Sequence, residues 1–244
     1  MTAPYIIAQI DEGGYRIEDD FVRAFLFTGK TGALLVDTGL GTGDMKEVCA
    51  SLTDRPVTLV HTHADPDHIG GDGPFDEILL HPAEHALFFE QTSQFGDAFL
   101  SGADVKPVPE GHVFDLGGRR FEVILIPGHT PGSIALLDRE NRVLVPGDTV
   151  SEETVFMFGK ARDIDAYTES LKKLISLHDA FDVYYPSHGP IPVTADVAET
   201  LLEGAIKLRA RELQGRDHER EDIPALLYEY NGVSFYYANG FNTP

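Results

Sequence analysis

Four apolar runs in this chain each stop at a short turn that carries a metal-capable side chain. VTLV (57–60) leads into HTHADPDH, VILIPG (123–128) into His129, VLVPG (143–147) into Asp148, and VYYPS (183–187) into His188. Short runs rich in β-branched and aromatic residues read as buried strands. Loops at the ends of such strands are where functional groups are presented. If these ends converge, they supply donors for two ions. The first is the densest: His61, His63, His68, Asp65 and Asp67 fall within eight residues. Imidazole nitrogen and carboxylate oxygen are good ligands for Zn²⁺ and its neighbours. Without a cation, repulsion and desolvation would make this cluster costly. Gly70 and Gly71 then permit a tight backbone path. Isolated histidines (His81, His85, His112, His178, His218) read as structural or surface residues.

The rest of the chain fits one layered α/β domain over residues 1–244. Further strand-like runs are AFLFTG, ALLVDTG, EILLHP and SIALLD. Helices are expected in GDMKEVCASL, in HPAEHALFFEQ with Pro82 in its first turn, in DIDAYTESLKKLISLH and over 196–214. Asp163 or Asp165 is the expected N-cap of the third of these, with Tyr167, Leu171, Leu174 and Ile175 at helical spacing. The Gly-Gly pair in FDLGGRRFEVILI reads as a hairpin turn. The aromatic tail, LLYEYNGVSFYYANGF, packs on the domain edge or forms a contact in a homo-oligomer.

Composition narrows the partners. With 40 acids against 19 bases the net charge is −21, which disfavours nucleic acid. No stretch reaches the roughly 18–20 apolar residues of a membrane span, and the N-terminus lacks a basic region followed by an apolar segment. The expectation is therefore a soluble cytoplasmic protein with no membrane partner. The single cysteine, Cys49, excludes an intrachain disulfide and reads as a small buried hydrophobe.

The motifs THADPDHIGG, PGHTPGS, VPGDT and PSHGP, with ALLVDTG around Asp37, resemble the metallo-β-lactamase superfamily from about residue 20 to 192. The resemblance implies an αββα four-layer sandwich with two divalent metal ions at one edge. By position, His63 and His129 would hold the first ion, Asp67, His68 and His188 the second, and Asp148 would bridge. The chain departs from the HxHxDH pattern at Asp65, which stands where the second histidine belongs. A register using His61 and His63 instead would need two inserted residues. The preferred register keeps Asp67 and His68 adjacent, makes Asp65 a ligand and leaves His61 flanking the site. The flavodiiron branch carries an acid at that position and uses iron. A carboxylate also favours harder metals, which brings iron and manganese close behind zinc, still ranked first.

Such a centre implies a hydrolase acting on a small-molecule ester, thioester, lactone or lactam through water activated by metal. Asp67 and Asp148 are the catalytic candidates. Phe156 and Phe158 read either as an apolar wall for substrate or as ordinary core. One of Tyr184 and Tyr185 either points a phenol at the site or simply packs, since neighbours on a strand face opposite ways. A flavodiiron-like or mononuclear iron redox protein and a non-catalytic metal-binding module are the alternatives.

Overall fold

Alternation of apolar residues along the strands sorts the core into three layers in the computed structural model, which describes residues 5–96, 99–100, 102–220 and 222–238. The first sheet has seven strands in the order of the chain: β1 (Ile6–Asp11), β2 (Gly14–Asp19), β3 (Val22–Thr28), β4 (Ala33–Val36), β5 (Val57–Val60), β6 (Glu77–Leu80) and β7 (Asp104–Pro107). Of the second sheet, β8 (Val113–Asp115), β9 (Arg120–Leu125), β10 (Ile134–Asp138) and β11 (Val143–Val145) are antiparallel neighbours. After β12 (Val155–Met157), β13 (Val183–Tyr184) and β14 (Val193–Thr194) extend that sheet beyond β11. A third sheet sets β12 beside a hairpin of β15 (Leu226–Tyr230) and β16 (Val233–Tyr237).

The two large sheets face each other. On β3, Phe25 and Phe27 enter the layer between the sheets, while Ala24 and Leu26 pack outward. On β9, Phe121 and Val123 enter the same layer and Ile124 faces the other way. Period-two alternation with both faces apolar is what strands covered on two sides require. The outer face of the first sheet packs with Met45 and Cys49 of α1 (Met45–Leu52) and Phe88 of α3 (His85–Thr92). The outer face of the second packs with Tyr167, Leu171 and Leu174 of α4 (Ile164–Ile175), and Leu201 and Ala205 of α5 (Val197–Arg209). The result is the expected αββα sandwich.

Local expectations hold with adjustments. Asp163 caps α4, accepting from the amides of Asp165 and Ala166. The Gly117–Gly118 turn joins β8 to β9. Pro82 starts a 3-10 turn, Pro82–Glu84, and the α-helix begins only at His85. The helix expected over 196–214 ends at Arg209, and Arg211 takes a left-handed conformation. The aromatic tail is core on one side: Phe235 is fully buried, and Gly204 of α5 gives its ring room. Residues 239–241 of that tail lie outside the described residues. No helix among the described residues is long and apolar enough to cross a membrane.

Cys49 is 2 % exposed, and burial pushes its thiol up to about 12. A buried protonated thiol is inert. The folded chain at pH 8 should leave Ellman's reagent uncoloured over an hour, and one equivalent should react in guanidinium. Prompt reaction in the native state would show that α1 opens readily.

Candidate metal centre

The sheet directions decide which loops meet. β9, β11 and β13 run the same way, because β10 is antiparallel to both β9 and β11 and β13 is parallel to β11. Their C-terminal ends therefore release His129, Asp148 and His188 at one edge. In the first sheet β4 and β5 are parallel, so Asp37 and the 61–68 loop emerge together. A one-turn helix, α2 (Pro66–Ile69), starts inside that loop at Pro66, whose fixed φ suits a first turn. It turns Asp67 and His68 into the same edge.

Two groups of donors form there, His63–Asp65–His129 and Asp67–His68–His188, and a third set, His63, His68 and Asp148, spans them. In the first, Asp65 Oδ2 lies 3.6 Å from His63 Nε2 and 3.3 Å from His129 Nε2. Asp148 Oδ2 closes it at 3.9 Å from His63 and 3.6 Å from His129. In the second, Asp67 Oδ2 lies 3.4 Å from His188 Nε2 and 3.9 Å from His68 Nε2. Asp148 offers Oδ1 to His68 at 3.2 Å and Oδ2 to His188 at 3.3 Å. Four donors about 2.1 Å from one tetrahedral ion stand about 3.4 Å apart, so these spacings fit a metal. The buried Nε2 atoms of His63 and His68 and Oδ1 of Asp148 have no hydrogen-bond partner among the described residues. Orphaned buried polar atoms are costly, and a cation would satisfy them.

A second ring of contacts aims the imidazoles. Asp37 accepts from the Thr62 amide at 2.8 Å and its hydroxyl at 2.7 Å, and engages His68 Nδ1 at 2.9 Å. His68 is thereby left with Nε2 facing the donors, the arrangement a metal-binding histidine needs. His188 donates Nδ1–H to the Phe21 carbonyl at 3.0 Å, with the same effect. His61 is turned away, its ring between Asp37 at 3.3 Å and Asp72 at 3.0 Å. Glu84 is fully buried and ties two ligand loops together. It accepts from the Ala64 amide at 2.9 Å and the Gly132 amide at 2.7 Å.

The electrostatics follow from this crowding. Burial pushes the Asp148 carboxyl up, but His188 and His68 hold it well below the usual range. Burial alone would depress His68, yet Asp148, Asp67 and Asp37 raise it well above the ordinary histidine value. Burial raises Asp65, and Arg162 with His129 and His63 more than reverses that. His129 is pushed down to about 4 by burial and by Arg162.

An open cleft of about 500 Å³ lies over the donors, floored by Asp65, Asp67, Asp148 and His188. Phe21, Phe95, Phe156 and Tyr236 give it aromatic walls. Phe156 is thus at the cleft, while Phe158 packs against it, tilted, with ring centroids 5.7 Å apart, and is not among the cleft's lining residues. Tyr184 and Tyr185 are not at the site. Tyr184 is fully buried under α4 and α5, and Tyr185 stacks on Phe25 between the sheets. Strand β13 lies between β11 and β14 with both faces covered, so neither phenol reaches the cleft.

Sequence reasoning did not reach Arg162, Glu84, Asp72, Phe21 or Tyr236. An acid at a helix start, such as Glu84, reads as solvated, and nothing local ties Arg162 to Asp65, 97 residues away. The placing of His61 beside the ligands rather than among them was the one legible clue to an inner network, and its partners Asp37 and Asp72 lie far from it in sequence.

Comparison with known proteins agrees with this architecture. The acyl-coenzyme A thioesterase MBLAC2 of Gallus gallus is 29 % identical, the match covering 64 % of this chain and 67 % of that protein. The human protein of the same name is 27 % identical over 72 % of this chain and 77 % of its own length. An atrochrysone carboxyl ACP thioesterase from Emericella nidulans is 29 % identical over 72 % of this chain, but only 53 % of that longer protein is covered. A metallo-beta-lactamase structure from Pontibacter korlensis superposes with a TM-score of 0.68 at 19 % identity, covering 83 % of this chain and 99 % of the other. Residues 17–188 match the sequence model of the metallo-beta-lactamase superfamily, and the chain belongs to that superfamily.

Proposed function

We propose that this protein is a metal-dependent hydrolase of small thioesters, holding two divalent ions, zinc first among them. The observation that carries the reading is the pair of donor groups sharing Asp148 at the floor of an aromatic-walled cleft. His63, Asp65 and His129 would hold one ion, Asp67, His68 and His188 the other, with Asp148 between. Bound divalent ions would bring the pKa of a water toward neutrality and polarise a substrate carbonyl.

The chain's own groups supply the rest. Phe21, Phe95, Phe156 and Tyr236 take an apolar acyl group and exclude water from it. Asp67 faces the cleft, and a carboxylate there can orient the attacking water and accept its proton. Attack forms the new C–O bond as the C–S bond breaks. The proton taken by Asp67 is returned to the departing thiolate, giving a carboxylic acid and a thiol. The named thioesterase relatives favour the thioester over the ester, lactone and lactam also compatible with the site.

The test is a substrate panel on protein stripped with a chelator. Zinc should restore thioester cleavage, read as free thiol, with esters and lactams turned over more slowly. Full thioesterase activity in metal-free protein would overturn the proposal. Elemental analysis settles the metal, since the Asp65 carboxylate also suits iron or manganese.

A further inference from the structure

The two donor groups differ in one respect: the first already holds a cation. Arg162 lies between β12 and α4, with its side chain 13 % exposed. Its Nε donates to the Phe156 carbonyl at 3.3 Å. Its Nη2 donates to Asp65 Oδ2 and lies 3.4 Å from His129 Nε2. Those two atoms are the ones that Asp65 and His129 turn toward each other, with Oδ2 of Asp65 also toward His63 and Nε2 of His129 also toward Asp148. Around the second group, no lysine or arginine is bonded to Asp67, His68 or His188 among the described residues.

A carboxylate oxygen and a neutral imidazole nitrogen can each face an N–H donor or a metal ion. A guanidinium keeps its charge at any ordinary pH, so protonation does not remove it from the contest. It must move, or share the carboxylate while its charge repels the incoming ion across a few ångströms of buried space. Either way the first group binds a metal less well than its donors alone would.

We propose that Arg162 is a built-in competitor for the first ion, making His63–Asp65–His129 the weaker site, filled only as the guanidinium gives way. At limiting metal the chain then holds one ion, at Asp67, His68 and His188 with Asp148. The inference rests on the metal-dependent reading above but is tested without turnover.

The experiment titrates the chelator-stripped full chain with Zn²⁺ against a chromophoric chelator, with circular dichroism checking the fold of each variant. The expected wild-type result is one tight zinc and a second bound at least about tenfold more weakly. Arg162→Met should strengthen the second event about tenfold or more and leave the first nearly unchanged. Arg162→Lys, which keeps the charge with shorter reach, should fall between, and serves if the Met variant misfolds. His129→Ala should abolish the weak event alone. Equal affinities in the wild type, or a weak event unmoved or further weakened in Arg162→Met, would sink the inference and leave the hydrolase reading intact. Failure of every variant and the wild type to bind zinc would sink both.

Discussion

Asp148→Asn should lose thioester turnover by roughly a thousandfold or more, which corresponds to about 4 kcal/mol of lost barrier lowering. Asp148 lies beside histidines of both donor groups, with Oδ1 beside His68 and Oδ2 beside His63, His129 and His188. The amide keeps the size of the side chain but loses its charge, and its NH₂ cannot ligate a metal. One substitution therefore takes an oxygen donor from one site and the negative charge from both. The fold should survive it. Oδ1 has no hydrogen-bond partner to lose, and Asp65 and Asp67 would be relieved of a like charge. The measurement is initial rate with zinc added, alongside zinc stoichiometry and a thermal melt. A variant with native stability, less bound zinc and wild-type rate would remove Asp148 from the chemistry.

Glu84→Ala should have the largest effect on stability, a loss of about 3–5 kcal/mol in urea unfolding. Its two oxygens are the acceptors for the amides of Ala64 and Gly132. Truncation leaves both N–H groups buried without a partner, at about 1–3 kcal/mol each, besides the volume removed. Water cannot readily replace the carboxylate, because Glu84 has no solvent exposure and Gly132 sits so close that a Cβ there would fall 2.6 Å from the Glu84 amide nitrogen. Glu84→Gln retains one acceptor and should recover about half of the loss. Ala64 adjoins His63, and Gly132 lies three residues past His129, so zinc affinity should fall with stability. A loss under about 1 kcal/mol would mean that the loops find other partners.

Much of the layered fold was legible because burial writes itself into sequence at period two. AFLFTG, ALLVDTG and FEVILI alternate between two apolar faces, and the amphipathic spacing of Tyr167, Leu171 and Leu174 marks the helix that covers one of them. The strands of residues 6–19 were not singled out, since Ile6–Asp11 is largely exposed or half-buried edge and carries little apolar signal. Nor was the pairing of β12 with the C-terminal hairpin, because a three-residue strand has no period of its own. Tyr184 and Tyr185 show the same limit. Alternation says that neighbours face opposite ways, but not that both faces of β13 are covered.

Residue types and their spacing determined the family and nominated the metal donors, because imidazoles and carboxylates at the ends of apolar strands have few other uses. Tertiary structure alone decided what surrounds them. That Arg162 reaches Asp65, that Glu84 clamps two loops and that His61 turns to Asp37 and Asp72 are contacts between distant segments. Such contacts depend on the directions of parallel strands and the lengths of turns, and no local pattern of side chains encodes them.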